Sequence, residues 1–394
     1  MKILYLSYFA APKIFDEICE AKLEPSVARQ NYDEVLIKNL LSNESISTDD
    51  IEIISYLPYT DTLGKVPNED VYLGKKLSYV WTKRKDIITI IKATKKVKKL
   101  VDEWLRKTEG ENRIILTYAA NPILLASVIS QRKKVKFVTI CSEVPKYRNM
   151  TEGNRLINNL KKKIFSYYNE KMDAYIYMSK HMDEVCNKRQ CPWIVVEGMT
   201  EIPPLGERVD KLGERIFYAG GLHKENGIDV LLDAIVRVNS RREEKVVLQL
   251  CGRGNVEEKV KDYAEKYEFI QFLGTLSNQE VRVLEKNATL LINPRKPDNL
   301  LTKYSFPSKT FEYFSSGTAS LLTRLDGIAE EFYEYCYTCD VGSVERLAQD
   351  IENGIAIPLA ERENKAMSAY NFLAEEKSAK KQTERIVKFL KELS

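Results

Sequence analysis

The twenty residues RIFYAGGLHKENGIDVLLDA, positions 215–234, run from a short apolar stretch through a glycine pair into a helical pattern. A strand of about five residues that ends on Gly220 and Gly221 and re-enters as a helix is the repeating turn of an open α/β sheet. Glycine suits that junction because the chain turns tightly there and its backbone can approach a ligand closely. The helix start adds free N–H groups and the positive end of a dipole.

The same rhythm extends in both directions. Ahead of this segment, strand-like runs fall at 2–7, 51–56, 113–118, 135–140, 173–178 and 193–196, with helical stretches at 26–42, 83–107, 121–131, 153–170 and 179–189. From residue 215 onward, strands at 215–219, 245–250, 269–273, 289–292 and 319–322 alternate with helices at 226–239, 255–267, 277–287, 307–316 and 342–353. Continuous apolar strands alternating with helices specify parallel, doubly wound sheets. Two such runs give an α/β chain of two Rossmann-like domains. The turn-rich stretch from Gly198 to Gly206 separates them, which places the domains at 1–200 and 201–375. The remainder, 376–394, reads as a C-terminal helix. Its apolar residues 386, 387, 389, 390 and 393 share one face, so it is expected to pack back on the N-terminal domain.

Composition narrows the function. With 394 residues and 44% hydrophobic content the chain supplies two cores. Without an apolar run of 18 residues it has no membrane span, and its start reads as a buried strand rather than a signal peptide. A cytoplasmic location is expected. Seven cysteines in no regular framework suit a reducing compartment, and Cys336 and Cys339 read as packing residues rather than a metal or redox pair. Residues 1–200 carry 33 Lys and Arg against 25 Asp and Glu, and residues 201–394 carry 28 against 32. A basic first half suits an anionic acceptor or the inner face of a membrane. Lys83, Arg84, Lys85, Lys92, Lys95, Lys96, Lys98 and Lys99 concentrate that charge. No aromatic-basic recognition motif accompanies it, so nucleic acid is not an expected partner.

Three further segments carry chemistry. LCGRGN, 250–255, sets Gly252 and Arg253 at the end of a strand. FIQFLGTLS, 269–277, ends a strand on a glycine turn beside Leu276. NPRKPDNLLTKYSFPSKTFEYFSSG, 293–317, brings Arg295, Lys296, Lys303 and Lys309 to a helix that starts near Pro307. Ser308 and Lys309 can reach phosphate oxygens there, and a buried Glu312 in the second turn can accept two ribose hydroxyls. With Gly220, Gly221 and Lys224 these residues are candidates for a phosphate and ribose site, against the plainer readings of ordinary strand-to-helix turns and a surface helix whose Glu312 pairs with Lys309.

Residues from about 213 to 330 resemble the donor-binding domain of retaining GT-B glycosyltransferases of the large family 4 type, which includes bacterial capsule, exopolysaccharide and lipopolysaccharide transferases. Tyr218 to Leu222 followed by Asn226 to Ala234 is similar to that family's diphosphate loop and helix. The stretch from Ser305 to Gly317 is similar to the polysaccharide-transferase form of its Glu-x7-Glu motif. The resemblance covers about a third of the chain, and the N-terminal half agrees in rhythm only. It departs at three points. The first Glu of the motif falls on Tyr304, the usual Arg and Lys of the diphosphate loop fall near Gly221 and Asn226, and the only histidines are His181 and His223.

The resemblance implies a GT-B architecture, two Rossmann-like domains facing across a cleft. It implies transfer of a sugar, with retention, from a nucleotide-diphosphate sugar to a polysaccharide or a polyprenyl-diphosphate-linked glycan. No metal or other cofactor is implied, because cationic side chains neutralise the leaving diphosphate. Donor-side residues are Gly220, Gly221, Lys224, Gly252, Arg253, Leu276, Arg295, Lys303, Ser308, Lys309 and Glu312, with Tyr304 and Glu312 nearest the reacting sugar. The acceptor falls to the segments Tyr8–Lys13, Ser26–Gln30 and Cys141–Arg148, where Glu143 is the carboxylate placed to act as a base. The departures also admit a catalytically inactive GT-B partner of another transferase. An epimerase of this fold needs more cleft carboxylates and histidines than the chain has.

Overall fold

The computed structural model describes residues 1–23, 26–83, 86–120, 122–147, 155–205, 213–298 and 300–393. Arg84, Lys85, Arg148 and Gly206, named above, lie outside them. The chain divides into two compact units, Met1–Glu201 with Ser378–Ser394, and Ile202–Lys377. Among the described residues no helix is long and apolar enough to cross a membrane.

The first unit is built on eight strands: β1 Lys2–Ser7, β2 Ile51–Tyr59, β3 Glu69–Tyr72, β4 Lys75–Lys83, β5 Arg113–Tyr118, β6 Lys136–Cys141, β7 Ala174–Tyr177 and β8 Trp193–Val195. Their order is β3-β4-β2-β1-β5-β6-β7-β8. Every neighbouring pair is parallel except β3 with β4. Central strands such as β5 bury both faces, which is why they read as unbroken apolar runs. The helices are α1 Pro12–Glu20, α2 Val27–Leu41, α3 Ile87–Lys107, α4 Pro122–Val128, α5 Arg155–Asn169 and α6 Asp183–Cys186.

Four features of this unit correct the sequence reading. The β3–β4 hairpin and α1 are additional elements. Leu73 and Gly74 turn the hairpin with φ of 50° and 75°, the left-handed pair that a two-residue turn demands. The helix expected from 83 begins at Ile87. Lys83 is paired to Tyr59 in the sheet, and Asp86 caps the helix by accepting from the N–H groups of Ile88 and Thr89 at 2.9 and 3.3 Å. The region 179–189, expected as one helix, is a short 3-10 turn followed by the four residues of α6.

The second unit carries β9 Arg215–Ala219, β10 Val247–Cys251, β11 Ile270–Phe272, β12 Leu290–Asn293, β13 Ser320–Thr323 and β14 Tyr337–Cys339, all parallel, in the order β11-β10-β9-β12-β13-β14. Its helices are α7 Ile228–Asn239, α8 Glu257–Lys266, α9 Asn278–Asn287, α10 Leu300–Lys303, α11 Ser308–Ser316, α12 Val344–Ala356 and α13 Leu359–Phe372. Alternate residues of β9 enter different cores, as strand geometry requires. Ile216 and Tyr218 join Leu231, Ile235 and Leu347 under α7 and α12. Phe217 joins Phe311, Phe314, Phe332 and Phe372 under α11 and α13.

A π-helical turn, Leu373–Lys377, leads to the last helix, α14 Ala379–Glu392. Ile386, Val387, Phe389 and Leu390 of α14 belong to the core of the first unit. Gln382 donates to Glu197 at 3.1 Å and Arg385 to the Val195 carbonyl at 2.8 Å. The tail is therefore part of that unit's core. Leu390 is fully buried, so Leu390→Ala should cost about 2–5 kcal/mol. All three tryptophans, Trp81, Trp104 and Trp193, lie in the first unit. Tryptophan-detected urea unfolding should therefore shift to lower denaturant, and an unchanged midpoint would show that α14 is dispensable to this core.

Candidate functional site

The strand order of the second unit reverses between β9 and β12. A crevice opens at the C-terminal ends of two strands whose connections leave in opposite directions, the usual ligand position in such sheets. Three glycine turns line this edge. Gly220, with φ at 151°, donates to the Cys251 carbonyl at 2.9 Å, and Gly252, with φ at 134°, donates to the Gly274 carbonyl at 2.8 Å. A side chain at Gly252 would strike the Gly220 carbonyl. The loops after β9, β10 and β11 thus stack backbone on backbone, which only glycine permits.

Lys309 completes the arrangement. It lies in the first turn of α11, whose entry is fixed by Phe306 packed 5.2 Å from Phe311 and 5.0 Å from Phe332, centroid to centroid. Its ammonium donates to the Ala219 carbonyl and fills the space that a Gly220 Cβ would take. It also sits 5.2 Å from the Tyr218 ring centroid. The Tyr218 hydroxyl and the Asn226 amide both donate to the Gly221 carbonyl, at 2.9 and 2.7 Å. Burial pushes the Tyr218 phenol upward against the pull of Arg295. Arg295 is half-buried, burial lowers its own pKa, and no described carboxylate pairs with it. Lys296, by contrast, is committed to Asp229 at 3.1 Å.

The remaining donor-side residues divide. Arg253 is exposed and donates from Nε to the Thr275 hydroxyl at 2.9 Å; Leu276 is half-buried against the core cluster of β9 and α11. Lys224 is exposed, with its backbone N–H on Asn255 Oδ1 at 3.2 Å. Lys303 lies 5.7 Å from the centroid of Tyr304, whose ring is buried. Glu312 corrects the expectation of a buried carboxylate: it is exposed, and its Oε1 accepts from the Ser308 hydroxyl at 2.9 Å. Four residues separate the two, so the helix itself brings them together. In the first unit, Glu143 is half-buried after β6, where its charge raises the Tyr118 pKa slightly. His181 pairs with Glu184 at 2.8 Å, and His223 accepts from the Asn255 N–H at 3.3 Å.

Sequence reasoning missed Glu285. Its side chain is 3% exposed and its Oε1 has no hydrogen-bond partner. Burial first, then the charge of Glu312, raises its pKa to about 7, against the opposing pull of Lys309 and Arg282. The signal was present: Val281, Leu284, Glu285 and Ala288 follow the i, i+3, i+4, i+7 spacing of a buried helix face, with an acid in the stripe.

Because the folded chain keeps a proton there that the unfolded chain has already released, stability falls as pH rises from the ordinary carboxylate range through 7. The loss reaches about 3 kcal/mol at most. Glu285→Gln, neutral throughout, should melt with the wild type at pH 5.5 and above it at pH 8, followed by circular dichroism. An equal offset at both values would refute the assignment.

Residues 213–356 match the family model of glycosyl transferases group 1, a span that lies within the second unit. No curated protein matches the sequence. Solved structures with the same fold include the E. coli trehalose-6-phosphate protein bound with UDP-2-fluoro glucose, at 10% identity over 100% of both chains and a TM-score of 0.65. The lipopolysaccharide outer core galactosyltransferase WaaB in its apo form matches at 14% identity over 100% of both chains, TM-score 0.62. S. aureus TarM matches at 10% identity, covering 76% of this chain and 59% of its own, TM-score 0.55. The fold is GT-B: two Rossmann-like domains with a helical C-terminal tail.

Proposed function

We propose that the protein is a glycosyltransferase that takes a sugar from a nucleotide-diphosphate sugar, with the diphosphate held at the β9–β12 crevice. The observation that carries this reading is the Lys309 ammonium lodged in the Gly220 notch against Tyr218, on which Arg295, without a described carboxylate partner, also acts. Two cations at a glycine-lined strand edge suit an anionic ligand such as a diphosphate. The glycosyl transferases group 1 match over the same residues supports it.

In this reading an acceptor hydroxyl oxygen bonds to the anomeric carbon as the bond from that carbon to phosphate breaks. The electron pair departs on the diphosphate, where Lys309 and Arg295 offset the developing charge. The hydroxyl proton passes to the departing phosphate oxygen on the same face of the sugar, which suits retention. Exposed Glu312, steadied by Ser308, offers its second oxygen to the ribose hydroxyls. Retention of configuration, a hexose as the transferred sugar, and a polysaccharide or lipid-linked glycan as acceptor complete the proposal. Buried Tyr304, standing where the family motif has an acid, favours a second reading as a non-catalytic partner that binds the nucleotide without turning it over.

Nucleoside diphosphates should raise the melting temperature of the wild type. Lys309→Ala should weaken that binding by about tenfold to a hundredfold, the worth of a charge-assisted hydrogen bond. Gly220→Ala should weaken it comparably by forcing Lys309 from its notch. A full nucleotide response in both variants would overturn the donor site, and nucleotide binding without donor turnover would select the non-catalytic reading.

A further inference from the structure

A second strand-order reversal occurs in the first unit, between β1 and β5. Arg29, in the first turn of α2, lies over that point. Its guanidinium is 4.4 Å from the ring centroid of Tyr8, just beyond β1, and 5.4 Å from that of Tyr118, the last residue of β5. The chain after Tyr118 is itself constrained, with Ala119 held at a φ of 50°.

The two rings fix the plane of the guanidinium but accept none of its hydrogens. Arg29 Nε is buried without a partner, and no described side chain or carbonyl accepts from the other nitrogens. Asp33, one turn along α2, is fully buried and supplies opposite charge. Its oxygens are taken by the Tyr5 hydroxyl and by the Tyr8 N–H at 3.2 Å. A guanidinium presents five donors in a rigid fork, and leaving them unmet in a half-buried place is costly unless an anion meets them.

That fork opens on a cavity of about 320 Å³ lined by Arg29, Gln30, Tyr56 and Thr82 on one part and by Phe15, Ile18, Leu57 and Ile90 on another. The volume lies at the lower end of small-ligand sites. Lys83, also in the wall, is already paired with Asp61 at 2.7 and 2.8 Å, so among the described lining residues Arg29 is the cation left for a ligand.

We propose that this cavity binds an oxyanion-headed amphiphile, its head on the Arg29 fork and its apolar chain along Phe15, Ile18, Leu57 and Ile90. Resting on the transferase reading above, it assigns the acceptor to the class of lipid-linked anions. Binding at this cavity requires no nucleotide, so it is tested separately from the donor site.

Calorimetric titration of the full chain with decyl phosphate, decanoate, decanol and inorganic phosphate, each below its aggregation concentration, decides the matter. At least one decyl oxyanion should bind ten times or more tighter than decanol and than inorganic phosphate. Preference for the phosphate identifies a phosphate ester head, and preference for decanoate a carboxylate; either sustains the proposal. Arg29→Gln should abolish the preference over decanol. Ile90→Glu, which sets a carboxylate in the chain path and leaves the tyrosine clamp intact, should weaken decyl oxyanion binding tenfold or more. Both variants should keep the nucleoside diphosphate melting shift. Equal binding of decanol and the oxyanions, no binding of either, or undiminished binding by Ile90→Glu would overturn the proposal. A lost nucleotide response in the wild type with amphiphile binding intact would instead sink the donor site alone.

Discussion

The contact on which the second unit's chemistry depends is a lysine ammonium resting on a strand-end carbonyl. Lys309 reaches Ala219 only because residue 220 has no side chain, and Gly220 sits where it does only because its own N–H is bonded to the β10 loop. The helix that carries Lys309 is in turn fixed by the phenylalanines around Phe332. Sheet edge, glycine loop and helix start are therefore one mechanical object. A substitution in any of them moves a charge.

That charge is held under tension by what lies beneath it. A carboxylate at Glu285 would compensate Lys309 and weaken its hold on an incoming anion, whereas a protonated Glu285 leaves the ammonium available. Burial raises the Glu285 pKa to about 7, so the proton is held below neutral pH and released above it. A diphosphate bound above would push the same way, since a second negative charge makes ionisation of Glu285 harder still.

The sequence was most readable where backbone and packing obey one local rule. The β9–Gly220–α7 turn, most of the parallel strands and the apolar face of α14 follow from periodicity and glycine placement; the expected strands begin within two residues of their positions, but β2 runs three residues further and β14 was not expected. What escaped was set by partners far along the chain. Strand β4 exists because β2 offers it a parallel edge, and that pairing carries the chain as strand through Lys83 before Asp86 starts a helix. Glu312 was expected buried from its helical position alone, but α11 turns Phe311, Tyr313 and Phe314 to the core and leaves 312 outside. Spacing does not say which side of a short helix meets its sheet. Glu285 was legible in principle, yet an acid in an apolar stripe carries weight only once Lys309 is known to lie beside it.

The two units use the same device with different chemistry. In each, the sheet order reverses, and in each a cation from a helix start is pinned beside tyrosine at that reversal: Lys309 with Tyr218 in one, Arg29 with Tyr8 and Tyr118 in the other. Parallel strands on either side of a reversal send their connections away in opposite directions, so the edge stays open, and an open edge lined by backbone N–H groups favours anions. The surroundings then divide the labour. Glycine loops around Lys309 admit a ligand that presses on the backbone, as a diphosphate does, while the apolar wall beside Arg29 admits one that carries its charge on a greasy body. The same reversal recurs in both units, and the proposed difference between a nucleotide and an amphiphile rests on the side chains that line each one.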